Sequence, residues 1–116
     1  MKITSYGGNE LTNRDKYDFT IGGDTVKMQD ARDIVHIDKY AIVQEEEHDI
    51  SKEGDSPKTV LVVKDTDGVV YGTISETFIR TFIQCVEVFG DDFNAFSVKT
   101  GTSKNGREFI TCVYED

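Results

Sequence analysis

Gly101-Thr102-Ser103-Lys104-Asn105-Gly106-Arg107-Glu108-Phe109-Ile110-Thr111-Cys112 is the stretch on which the reading of this chain turns. Asn105-Gly106 tolerates positive φ at two successive positions, as a two-residue type I′ hairpin requires. Such a turn sets Lys104 against Arg107 and pairs Thr100 with Thr111, Lys99 with Cys112 and Val98 with Val113. The tip then carries two cations, with Lys99 further down the stem. Facing like charges cost stability, so an anionic partner is one reason to place them there. The plainer reading is that Lys104 and Arg107 only keep an exposed turn in water.

The cations stand out because the chain is acidic. Its 116 residues carry a formal net charge of −9, with 30% charged and 37% hydrophobic residues. That length suits one domain, residues 1–116, with a real core. The acidic balance argues against a general duplex-DNA binder, which needs a basic face. No apolar run reaches the roughly 18 residues of a membrane span. The N-terminus lacks the basic and apolar regions of a signal peptide, so the expected location is cytoplasmic. Cys85 and Cys112 have no CxxC spacing, and both are expected as free thiols without metal.

Upstream of the quoted stretch, residues 76–89 read as the one clear helix. Ser75 is its N-cap, Glu76 suits the positive dipole end, and Gly90 suits a left-handed end. Phe78, Ile79, Phe82, Ile83, Val86 and Phe89 recur at spacings of three and four, a stripe read as core rather than as a docking groove. Before it, Val60-Leu61-Val62-Val63 reads as a central strand and Asp67-Gly68 as a second two-residue turn. That turn sets Lys64 opposite Tyr71, Val62 opposite Thr73 and Leu61 opposite Ile74. Leu61, Val63, Val70 and Ile74 would then face the core. Val62, Lys64, Tyr71 and Thr73 would share an outward face. A cation and an aromatic on one outward face is what a base-stacking surface needs.

Residues 34–45 read as a long strand whose alternation breaks at Lys39 and Ile42, as at a bulge. Residues 1–33 form an extension of uncertain structure, in which Tyr17-Asp18-Phe19-Thr20-Ile21 alternates like a short strand. Residues 45–57 form a polar loop with five glutamates and aspartates around His48 before position 55. Adjacent carboxylates in a loop have no fixed geometry, so no metal site is read there.

Several motifs fail on inspection. Residues 65–76 resemble a calcium loop, but Val70 stands where the tight turn needs glycine. The glycine spacing from Gly101 to Gly106 is followed by Arg107-Glu108, so no phosphate loop is read. His36 and His48 have no nucleophile at a known catalytic spacing. No enzyme and no cofactor is expected.

The order strand, strand, strand, helix, two-stranded hairpin is that of an OB-fold: mainly β, a five-stranded barrel with one helix between strands three and four. OB-folds grip oligonucleotides with strands two and three and with the loop between strands four and five. Those regions carry the candidate site: Tyr71 and Lys64 on the sheet, Lys99, Lys104 and Arg107 on the hairpin, and Tyr40 on the first strand.

At these residues the chain also resembles a known family, the small acidic single-stranded DNA-binding proteins of protein-primed tailed bacteriophages. The likeness lies in Asp67-Gly68, Tyr71, Ile74-Ser75-x-Thr77, Phe96-x-Val98-Lys99 and Gly101 through Gly106. Tyr17, Thr20, Gly22-Gly23, Lys27, Tyr40 and Val43 follow a similar order upstream. The chain departs from the family in its richer acidic loop, residues 45–55. The resemblance implies a replication protein that coats displaced single strands, with DNA and other replication proteins as partners, inside the host cell. It also implies that acidity is compatible with that task. The alternative is an acidic phage interaction or inhibitor protein that binds a host protein's nucleic-acid site.

Overall fold

A computed structural model describes residues 1–22, 24–45 and 58–116. The acidic loop with His48, apart from Glu45, lies outside the described residues, as does Gly23. At the centre stands the long strand β3 (Val35–Gln44). Its alternation breaks because Asp38 is an extra residue: Ile37 pairs with Asp65 and Lys39 with Lys64 of β4 (Thr59–Asp65). A bulge of one residue exchanges the two faces of a strand. Val35 and Ile37 therefore point to the same side as Tyr40 and Ile42, while Ala41 and Val43 point to the other. Lys39 goes with the second set.

Around β3 the strands form a curled, mixed sheet. One edge pairs with β4, which continues to β5 (Val70–Thr73) and then, in parallel, to β2 (Thr25–Lys27). Along the other edge β3 pairs first with β6 (Ala95–Thr102), then with β1 (Lys2–Gly8), and β6 pairs with β7 (Glu108–Tyr114). The path β2-β5-β4-β3-β6-β7 ends without returning on itself. Among the described residues the protein is thus mainly β, as expected, with a seven-stranded sheet curled into half a barrel with an open seam, where five strands were expected. It has two helices, not one.

Both hairpin registers differ by one residue from the expectation. Lys64 pairs with Val70 and Val63 with Tyr71; Lys99 pairs with Thr111 and Val98 with Cys112. The reason is the same in each. Gly68 (φ +88) and Gly106 (φ +80) adopt positive φ, whereas among the described residues no non-glycine residue does, so Asp67 and Asn105 cannot fill the first place of a type I′ turn. Each loop instead has three residues, with glycine third, as in a type I turn closed by a bulge. Asp65 N–H donates to Val69 O at 2.9 Å, and Ser103 N–H donates to Arg107 O at 2.8 Å. Asp65 locks the first loop further, its Oδ1 accepting from the N–H groups of Asp67 and Val69.

A one-residue slip moves side chains to the opposite face. Leu61, Val63 and Tyr71 therefore belong to the inner cluster, with Met28, Phe78, Phe82, Phe93 and Phe96. Val62 and Val70 belong to an outer cluster with Phe19, Ala41 and Val43. Ile74, expected in the core, is exposed.

Phe19 reaches the outer cluster from a helix, α1 (Asn13–Thr20), where the alternation of Tyr17, Phe19 and Ile21 had suggested a strand. Thr12 decides the matter. Its Oγ1 accepts the N–H of Asp15 at 3.1 Å, and Asp15 Oδ2 accepts the N–H of Thr12 at 2.8 Å, a reciprocal capping box. Of the three alternating residues only Phe19 is buried. Between α1 and β3, a 3-10 turn at Met28–Asp30 buries Met28 completely beside the seam.

The second helix, α2 (Glu76–Phe89), forms where its sequence places it, with Ser75 Oγ accepting the N–H of Phe78 at 3.2 Å. Phe82 touches Tyr40, Phe93 and Phe96 edge-on at centroid distances of 4.9, 5.2 and 5.7 Å. Ile83, placed in the same stripe, is 39% exposed. The helix also serves the end strand: Cys112 N–H donates to Thr81 Oγ1 at 2.9 Å. Among the described residues no helix is long and apolar enough to cross a membrane.

Cys85 and Cys112 are free thiols. Though remote in sequence they meet in space, and burial first, then Cys85, pushes the Cys112 thiol far above its ordinary value. A thiol reagent acting on the native protein should therefore modify Cys85 well before Cys112. In denaturant both should react at one rate. Equal native rates would show that the interface between α2 and β7 opens readily.

Candidate functional site

The six residues singled out in the sequence do not form one surface: Lys99, Lys104 and Arg107 share the β6–β7 hairpin, while Lys64, Tyr71 and Tyr40 lie elsewhere. Lys64 lies on the outer face beneath α1, where its Nζ donates to Asp15 Oδ1 at 2.8 Å and Asp18 Oδ2 at 3.1 Å. Burial alone would lower its pKa, but the two carboxylates outweigh this and hold it above the usual lysine value. Lys39 joins the same knot, donating to Asp15 Oδ2 and to Glu10 O. Asp15 is thus the centre of a buried cluster of opposite charges. Its carboxyl, which burial would raise, is held far below the ordinary range by hydrogen bonds from Lys39, Lys64 and Thr12.

Tyr71 sits opposite Val63 on the other side of the sheet, packed against the inner cluster. Burial first, and then Asp65, Asp33 and Asp67, raise its phenol above the ordinary value. Tyr71 and Lys64 therefore point away from each other. Tyr40 is also turned inward. Its ring covers Gly7, where an added Cβ would stand 2.3 Å from the phenol oxygen, and burial raises its pKa.

The hairpin keeps its cations in the open, and the corrected register gives them a neighbour. Gly101 pairs with Phe109. Directly opposed residues share a face and every second residue returns to it. Lys99, Gly101 and Ser103 of one strand therefore share the outward face with Thr111, Phe109 and Arg107 of the other. The Phe109 ring lies over Gly101, where a Cβ would come within 2.6 Å of ring Cζ, so any side chain at 101 would lift the ring. Phe109 remains 37% exposed. The arrangement is a flat aromatic surface between Lys99 and Arg107, with Lys104 on the adjoining tip.

The opposite face of the hairpin borders the open seam. There a cleft of about 630 Å³ is lined by Lys27, Met28, Thr73, Thr100, Glu108 and the edge of Phe109, among others. Lys27, Asp30 and Glu108 give its lining charges of both signs. Phe109 escaped the sequence reading because the expected register sets it opposite Thr102 and away from Lys99, whereas the observed one sets it opposite Gly101 on the face of Lys99. The signal was an aromatic facing a glycine across paired strands, an arrangement that recurs between β1 and β3 at Gly7 and Tyr40.

Among the described residues no group of three histidine, cysteine or acidic side chains is placed to hold a metal ion. No family model, curated protein or solved structure matches this chain.

Proposed function

We propose that the protein binds single-stranded DNA with little sequence preference, through the outward face of the β6–β7 hairpin. The observation that carries this reading is the exposed Phe109 ring seated on Gly101 between Lys99 and Arg107. Every base offers a π-face to such a ring, and backbone phosphates suit the flanking cations. On a chain of net charge −9, this hairpin carries three lysine and arginine side chains, Lys99, Lys104 and Arg107, where a strand would lie.

The five strands β3 to β7 with α2 are further read as an OB-type arrangement opened at one seam. In support, β3 pairs with both β4 and β6, and α2 falls between β5 and β6 in the chain. In that reading the outer face of the second and third barrel strands is covered by α1, which leaves the tip loop and its hairpin as the gripping surface. A replication role for displaced single strands in a phage-infected cell is the setting that fits the family resemblance.

The test is binding of a labelled oligo-dT across a range of salt concentrations. Phe109→Ala should cost about 1–3 kcal/mol of binding and leave the salt slope unchanged. Lys99→Gln and Arg107→Gln should each flatten the slope of log affinity against log salt by about 0.7. Parent-like binding by all three variants would remove the site from the hairpin. No binding by the parent at low salt would favour an acidic protein that engages another protein.

A further inference from the structure

The N-terminal segment builds a second surface of the same chemical kind on another part of the molecule. Strand β1 and helix α1 flank a cleft of about 910 Å³, with Ile3 and Leu11 among its apolar lining. Tyr6 and Lys2 line it from β1, and Tyr17 and Lys16 from α1. These are the two most exposed aromatic side chains among the described residues, at 57% for Tyr6 and 48% for Tyr17. Behind Tyr17, the Arg14 guanidinium lies 5.5 Å from the ring centroid and is itself tied to Asp18 at 3.1 Å. None of the eleven lining residues is acidic, in a chain where 22 of 116 are.

The absence of carboxylates selects an anionic ligand, and the two open rings select a planar one. An acidic peptide or a lipid headgroup supplies charge without a π-face in each unit. A nucleotide supplies both at every step. We infer that the cleft between β1 and α1 is a second contact site for single-stranded nucleic acid, with Tyr6 and Tyr17 taking bases and Lys2 and Lys16 taking phosphates. This rests on the function proposed above and adds a surface that the hairpin does not include.

The chain has no tryptophan, so its ultraviolet emission comes from its five tyrosines, while the hairpin surface stacks through a phenylalanine. Oligo-dT should therefore quench tyrosine emission only if it reaches the cleft or another tyrosine. In the double variant Tyr6→Phe with Tyr17→Phe, which keeps both π-faces but removes the two emitters, the quench should vanish while a labelled oligo-dT still binds. Tyr6→Leu and Tyr17→Leu should each weaken binding on the order of tenfold. Lys2→Gln and Lys16→Gln should each flatten the salt slope by about 0.7. Parent-like affinity in the leucine variants, alongside weakening by Phe109→Ala, would overturn the cleft and leave the hairpin standing. Competition by poly-glutamate as effective as that by oligo-dT would show that the cleft reads charge alone and would overturn it too. A parent that binds no oligo-dT at low salt ends both readings.

Discussion

Replacing Asp15 with alanine is expected to destabilise the protein by about 3 kcal/mol, measured by urea unfolding. The change strands two ammonium groups, Lys39 and Lys64, whose side chains are only 10% and 13% exposed. It also removes the capping box of α1. The figure is the low end for a broken buried pair, because Asp18 still reaches Lys64 and is itself partly hydrated. The same residue sets the acid limb. Its folded pKa lies below the unfolded carboxyl value of about 3.9, so its stabilisation is complete above that value. It is lost as pH falls further, through the folded pKa. An Asp15→Asn variant should be less stable at neutral pH and show a shallower fall in acid. Equal acid limbs in parent and variant would mean that the carboxylate is not held by the two lysines.

Phe82→Ala should cost about 3–5 kcal/mol by the same measurement. Phe82 is fully buried and meets Tyr40, Phe78, Phe93 and Phe96, so its loss opens a cavity against four rings held by two strands, by α2 itself and by the turn after it. Rings fixed from several directions collapse poorly into a void. A loss below about 1 kcal/mol would mean that the inner cluster repacks freely and that α2 is only loosely attached.

These two residues differ sharply in how far the sequence announces them. Phe82 stands in a helical stripe with a cap at each end, and local periodicity alone places it inside. Asp15 is one carboxylate among 22 in the chain. Its importance arises from lysines 24 and 49 positions away, which no local pattern links to it. The capping signature Thr12-x-x-Asp15 was present in the sequence, but the alternation of Tyr17, Phe19 and Ile21 competed with it. Periods of two and of 3.6 are hard to separate over five residues.

Strand existence was legible and strand register was not. Apolar alternation marks a strand, yet the pairing depends on whether a turn has two residues or three, and Asn-Gly and Asp-Gly suit either. One such choice moved Tyr71 inward, whereas Lys64 kept its outer face and is covered there by α1. The exposed cations Lys99, Lys104 and Arg107 survived the slip because a tip is solvated in either register. The bulge at Asp38 was visible as broken alternation, but its result, the burial of Lys39, needed the partner on α1.

The knot at Asp15 also imposes an order on synthesis. At about 5–20 residues per second, Lys64 is made roughly 2–10 s after Asp15, from which it is 49 positions distant. An eight-residue helix is too short to persist alone in water, and the apolar strands that receive Phe19 are made during the same interval. Strand β1 and Asp15 can engage β3 once residues 35–44 are made, but the Asp15–Lys64 contact and the full seat of Phe19 wait for β4 and β5. Helix α1 is therefore fully fastened only after β4 and β5 have been made, although it precedes both in the chain.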